Sequence, residues 1–140
     1  MYGMRTKTLC LVLALVGVWL AQGPTQARGD DQDHTMIHVY PERTQPQQVT
    51  VQVGTVVVWM SHLASSNLVV TTLEFQEGQR VARATTRPKG YNGFVMEGEH
   101  FVGRMEADGG MVALRFVQPG TYSYVLGHDA YRPGTIVVHK

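Results

Sequence analysis

Apolar and polar residues alternate in short stretches along much of this chain. Residues 49–53 run Val-Thr-Val-Gln-Val, the pattern of a strand with one face in a core and the other in water. Gly54-Thr55 then makes a tight corner. Residues 56–60 (VVVWM) are a continuous β-branched and aromatic run, suited to a strand buried on both faces. Before them, residues 35–40 (TMIHVY) place Met36, His38 and Tyr40 on one side of a strand, and residues 41–48 (PERTQPQQ) break it. Residues 61–67 (SHLASSN) read as a polar loop and residues 68–75 (LVVTTLEF) as a strand without helical period. Residues 77–93 read mostly as surface loop, with room for a short helix near 77–84. Short strands are expected at 94–96 and 100–105, around Glu97-Gly98-Glu99. Residues 111–117 (MVALRFV) follow the turn Asp108-Gly109-Gly110, with Met111, Ala113 and Arg115 on one side and Val112, Leu114 and Phe116 on the other. Pro119-Gly120 turns the chain into two last strands, at 122–126 and 135–139. Short strands at regular spacing, punctuated by Gly and Pro and without an internal repeat, predict an all-β sandwich or barrel.

The N-terminus does not fit that pattern. Residues 9–20 (LCLVLALVGVWL) form an apolar run behind Arg5 and Lys7, too short for a spanning helix of ~20 residues but right for the core of a secretory signal. Cleavage after Ala27, with Thr25 two residues before it, makes residues 1–27 a signal peptide. Residues 28–34 (RGDDQDH) are then a polar N-terminal arm, and residues 35–140 a single domain. Export to a periplasm or to the outside follows, with no membrane anchor after cleavage. Processing removes two of the 12 basic residues and none of the 11 acids, which turns the net charge from +1 to −1. No basic face is left for nucleic acid. Processing also removes Cys10, the one cysteine, so disulfides, thiolate metal sites and Cys–His catalysis are excluded from the mature chain. No GxSxG or HExxH occurs, and the chain is not expected to be an enzyme.

Two segments resemble cupredoxins, the blue-copper β-sandwich family. Residues 46–60 (PQQVTVQVGTVVVWM) are similar to their opening pattern P-x-x-hydrophobic-T-V-x-V-G-x-x-V-x-W. Residues 116–138 (FVQPGTYSYVLGHDAYRPGTIVV) are similar to their closing hairpin, F-x-x-P-G-T-Y-x-Y-x-C-x-x-H followed by G-x-I-x-V. The tail is also similar to a stretch in the second domain of copper nitrite reductases, which supplies a type 2 copper histidine. The resemblance implies a Greek-key β-sandwich with copper-binding or electron-transfer duties and a redox or copper-handling protein partner. Tyr122 would tie a corner of the sandwich through its hydroxyl.

The blue-copper ligands implied by the resemblance are not carried over. A type 1 site needs two His, a Cys thiolate and a weak axial ligand. Aligned on GTYSY, the cysteine position holds Leu126, the first histidine position Asn67, and the axial methionine loop Arg132-Pro133-Gly134. His128 stands one residue away from the second histidine position. Two readings follow. In one, His62 after the Trp59 strand and His128 after the Tyr122 strand meet at one end of the sandwich. There they hold Cu(II) with water or a third side chain (Asn67, Met60 or His100), or Cu(I) with thioether help from Met105 or Met111. In the other, the fold is kept without metal, as an interaction module or accessory subunit of an exported complex.

The remaining candidates are weaker. His34 and His38 share one side of a strand, and with Asp33 could form an exposed metal site. His100 is expected to pair with Glu97 or Glu99 across a hairpin, and His139 to be exposed. Met36, Met60, Met96, Met105 and Met111 are spread one per strand, the distribution of core gap-fillers.

Overall fold

The computed structural model describes residues 33–63, 71–127 and 129–140. The signal segment, Asn67 and His128 lie outside the described residues. Among the described residues, no helix is long and apolar enough to cross a membrane.

Among the described residues, eleven strands and one helix form: β1 (His34–Val39), β2 (Thr44–Gln45), β3 (Gln48–Gln52), β4 (Val56–Ser61), β5 (Thr71–Phe75), α1 (Gly78–Ala84), β6 (Thr85–Thr86), β7 (Phe94–Glu97), β8 (His100–Met105), β9 (Met111–Phe116), β10 (Gly120–Leu126) and β11 (Asp129–His139). They build two sheets, ordered β2-β1-β4-β9-β6 and β3-β11-β10-β5-β8-β7. Two expectations need refining. The break at 41–48 contains β2, which pairs antiparallel with the end of β1, His38 opposite Gln45. In residues 77–93 the short helix allowed near 77–84 forms as α1, and the expected surface loop also contains β6. Helix α1 docks through the Gly78 N–H, which donates to the Glu99 carbonyl at 3.0 Å, and Gly78, Val81 and Ala84 are its buried residues.

The core lies between the sheets, where alternate residues of each strand meet. Ile37 and Val39, Val57 and Trp59, and Val112, Leu114 and Phe116 face inward from the five-stranded sheet. Val49, Leu73, Phe75, Tyr122, Tyr124, Leu126, Ile136 and Val138 face them from the other. Val56, Val58 and Ala113 point away from the core and are covered by Tyr91, which is why the VVVWM run is apolar on both faces. The corner expected at Gly54 has φ of +96°, a conformation that suits glycine. The Tyr122 hydroxyl donates to the Gln118 carbonyl at 2.9 Å and so ties the turn before β10.

Directions follow from the ladders. β9 runs antiparallel to β4, from Met111 opposite Met60 to Arg115 opposite Val56. The Pro119 turn sends β10 back, so β10 ends at Leu126 at the same end of the sandwich as Ser61 ends β4. β1 runs parallel to β4 and finishes there too, with Val39 beside Ser61.

Tyr124 carries a pH prediction. Burial holds its phenol above the ordinary tyrosine range, partly offset by the Trp59 and Thr44 side chains. In the unfolded chain the group ionises near pH 10 (about the free value), and in the folded chain only above that. Its contribution to stability is therefore full below pH ~10 and falls as pH rises, by up to about 1.4 kcal/mol per unit. Urea melts between pH 8 and 11 should show this slope, and Tyr124→Phe should remove that part of it. An unchanged slope in Tyr124→Phe would assign the alkaline loss to other groups.

Candidate metal centre

Period-2 alternation sets the outer face of the five-stranded sheet. On β1, Ile37 and Val39 point into the core, so Met36, His38 and Tyr40 point out. On β4, Val57, Trp59 and Ser61 are inward, so Met60 and the following His62 point out. The ladder continues one residue past β4, with the His62 N–H donating to the Val39 carbonyl at 2.8 Å. The parallel β1–β4 pairing thereby lays two imidazoles side by side although they are 24 residues apart.

The two rings meet edge on. His38 Nδ1 and His62 Nε2 are 2.7 Å apart, a hydrogen bond in which one nitrogen donates and the other accepts. Ring centroids lie 4.9 Å apart. His62 also stacks on Tyr40, at 4.9 Å and 14° between planes. The guanidinium of Arg43 stands 5.3 Å from the centroid of the same tyrosine ring. Tyr40 therefore holds the exposed His62 ring in place from one side while His38 holds it from the other.

Methionines flank the pair. Met60 is the register partner of His38 on one side and of Met111 on the other, so His38, Met60 and Met111 form one row across three strands. Met111 is 36% exposed and Met36 41%. The Asp108-Gly109-Gly110 turn before Met111 is pinned to the end of β4, with Ser61 N–H on the Gly110 carbonyl at 2.9 Å and Gly109 N–H on the Ser61 carbonyl at 2.7 Å.

The structure corrects several assignments made from the sequence. Among the described methionines only Met105 is a core gap-filler, at 1% exposure, and it sits among inward residues where it cannot assist a metal at this face. Met36, Met96 and Met111 are exposed because they fall on outward positions of their strands. His100 pairs with Glu74 of the neighbouring strand β5, not with Glu97 or Glu99. Glu97 instead binds Arg104, whose guanidinium holds the carboxyl below its usual range. These four side chains border an open groove of about 300 Å³ on the outside of the six-stranded sheet, away from the histidine pair. His34 faces the Tyr91 ring at 6.2 Å between centroids. Of the expected pair, His62 is placed as described, whereas His128 lies outside the described residues. His38 was legible only as a neighbour of His34 along β1. Its pairing with His62 needed the strand order.

The donors decide which metal chemistry fits. The position of the blue-copper cysteine is Leu126, which is 1% exposed and part of the core. Hydrocarbon there cannot bind an ion, so the residues present do not fit a type 1 centre. Among the described residues, no three His, Cys, Asp or Glu side chains gather into a metal-binding group. What does fit is a pair of imidazole nitrogens facing one another. Two nitrogens on one ion at bond lengths of about 2.0 Å lie about 3.3 Å apart at a tetrahedral angle. Reaching that from 2.7 Å widens the gap by about 0.6 Å, with both rings turned so that their lone pairs converge on the ion.

The architecture is that of a cupredoxin-type β-sandwich. Solved structures of amicyanin, a cupredoxin, are similar to it throughout most of their length. The amicyanin of Paracoccus versutus (Thiobacillus versutus) superposes with a TM-score of 0.53 at 17% identity, covering 76% of this chain and 82% of that one. The Cu(I) form of a methionine-to-alanine variant of amicyanin gives 0.54 at 18% identity, with 81% and 88% covered. A reduced Cu(I) form at pH 4 of a proline-to-glycine variant gives 0.53 at 17%. At such identities the likeness is one of fold. No protein-family model matches the chain, and no curated protein sequence matches it.

Proposed function

We propose that this protein is an exported, non-enzymatic copper-handling protein that holds copper through surface histidines in place of a type 1 site. The observation that carries this reading is the His38–His62 pair, two ring nitrogens 2.7 Å apart at the end of the sandwich where β1, β4 and β10 finish. The solved amicyanins include Cu(I) forms, which supports copper as the metal. The signal-like residues 1–27 support export, to a periplasm or beyond. His62 and His128 remain the loop histidines of the site, with His38 added to them. A redox or copper-handling protein is the natural partner, because a surface site can exchange its ion on contact.

Titration of the purified protein with Cu(II), and with Cu(I) under anaerobic conditions, tests the reading. One equivalent should bind, and His62→Ala or His38→Ala should each weaken binding by more than about 100-fold, beyond the loss typical of outer-shell changes. His139→Ala should bind as the unmodified protein does. A second reading, a metal-free interaction module, is favoured by the buried leucine at the cysteine position. Failure to bind one equivalent of copper in either oxidation state would decide for the module.

A further inference from the structure

Exposed methionine is the observation the function above does not use. Methionine has an unbranched apolar side chain whose ordinary place is a core, and among the described residues only Met105 is there. Of the others, Met36, Met60 and Met111 all fall on outward positions of the sheet face that carries His38 and His62. The sequence separates them by dozens of residues. Strand order gathers them, since β1, β4 and β9 are adjacent.

We infer that the histidine pair is a Cu(I) site completed by the Met60 thioether, with Met111 as the next sulfur in the row. The inference rests on the copper-handling reading and names the oxidation state and the third ligand. Its first support is register. Met60 stands opposite His38, one strand spacing of about 4.8 Å away on the same face, and Met111 stands one spacing further. A thioether at Met60 and the imidazole of His38 can both reach an ion above the sheet, and His62 already touches His38. The second support is donor chemistry. The two imidazoles are borderline donors that suit zinc and copper alike, and the thioether is the soft, uncharged donor that tips the set toward Cu(I) over Zn(II) or Cu(II). Among the described residues, no group of three His, Cys, Asp or Glu competes with it for harder ions.

Binding balances without electron transfer. In the free pair, one of the facing nitrogens carries the shared hydrogen. When the ion enters, that hydrogen moves to the far nitrogen of its own ring. Both facing lone pairs then point at Cu(I), and two neutral imidazoles release no net proton. The ion lies on an open face, beside an exposed His62 and a 36%-exposed Met111, so an incoming thioether or imidazole of a partner can displace its ligands one at a time. That is a geometry for handing over an ion.

The test uses purified protein under anaerobic conditions, with Cu(I) partitioned against bicinchoninate. Met60→Leu keeps the volume and removes the sulfur. It should weaken Cu(I) binding at least tenfold while Cu(II) binding changes less than twofold, and Met96→Leu on the other sheet should change neither. A second readout needs no variant. With methyl-labelled methionine, addition of Cu(I) should shift the Met60 and Met111 methyl signals and leave those of Met96 and Met105 in place. X-ray absorption of the Cu(I) protein should show a sulfur neighbour. Unshifted Met60 and Met111 methyls together with unchanged affinity in Met60→Leu would overturn the thioether assignment. If His38→Ala and His62→Ala still weakened copper binding in that case, the copper-handling reading would stand without it. Zn(II) displacing Cu(I) from the site would also sink the inference.

Discussion

Trp59→Ala should lower unfolding stability by about 3–5 kcal/mol, the range for removing a large buried aromatic. Trp59 is fully buried on β4 and projects across the interior. It meets Tyr124 of β10 edge-on at 5.5 Å, Phe94 of β7 at 5.7 Å and Phe75 of β5 at 6.1 Å. All three partners belong to the opposite sheet, so the indole is the main aromatic tie between the two layers. Each such contact adds about 0.5–1.5 kcal/mol beyond area burial. Alanine would leave a cavity that three rigid rings cannot close. Against a typical domain stability of about 5–15 kcal/mol, a loss of this size is a third or more of the total. Urea unfolding should show a lower midpoint with an unchanged slope, and Trp59→Phe should retain about half of the loss or better. A loss under about 1 kcal/mol would contradict the packing. Under the proposed function the variant should also weaken copper binding, because Trp59 anchors the strand that presents Met60 and His62.

Gly134→Ala should cost about 3 kcal/mol, the upper part of the range for overpacking. Gly134 faces Tyr124 across the β10–β11 ladder. A methyl group built there falls inside the space of the Tyr124 ring, against its Cζ and hydroxyl. The phenol cannot swing away, because it is buried among Trp59 and Phe75. The ring therefore has to move or the strands have to part. A double-mutant cycle makes the cause visible. In a Tyr124→Ala background the added methyl should cost less than about 1 kcal/mol, leaving a coupling of about 2 kcal/mol between the two positions. Equal costs in both backgrounds would mean that the backbone of β11, and not the ring, rejects the side chain.

These two residues show how the sequence carried information about the fold. Trp59 was legible as a buried strand residue from the run around it. Gly134 was legible as part of the G-x-I-x-V pattern, but the reason a glycine stands there is a ring ten residues earlier on the paired strand. The same holds for the tyrosine at 122, whose hydroxyl ties the turn three to four residues before it, as expected. Local features of this kind need only a few residues of chain to be read.

The candidate site was legible in half. His62 stood out because it follows the tryptophan strand of a recognisable sandwich, and Leu126 because hydrocarbon stands where a thiolate belongs. His38 was visible only as an alternating member of β1. Its nitrogen meets His62 because β1 and β4 pair in parallel with His38 beside Met60. Likewise, Met60 and Met111 looked like scattered gap-fillers until β4 and β9 set them side by side. His100 found Glu74 on β5 because that strand, and not the hairpin, supplied the nearer carboxylate.

Alternation, glycine corners and the Pro119 turn thus determined from the amino-acid order alone that the chain is an all-β sandwich or barrel, and the cupredoxin-like segments narrowed this to a sandwich with leucine at the thiolate position. The reason is that side-chain period and turn chemistry act over two to four residues. Strand neighbours are chosen otherwise, by the burial of whole faces against one another. That choice set the order β2-β1-β4-β9-β6, and with it the meeting of His38, His62 and Met60, which no local period encodes.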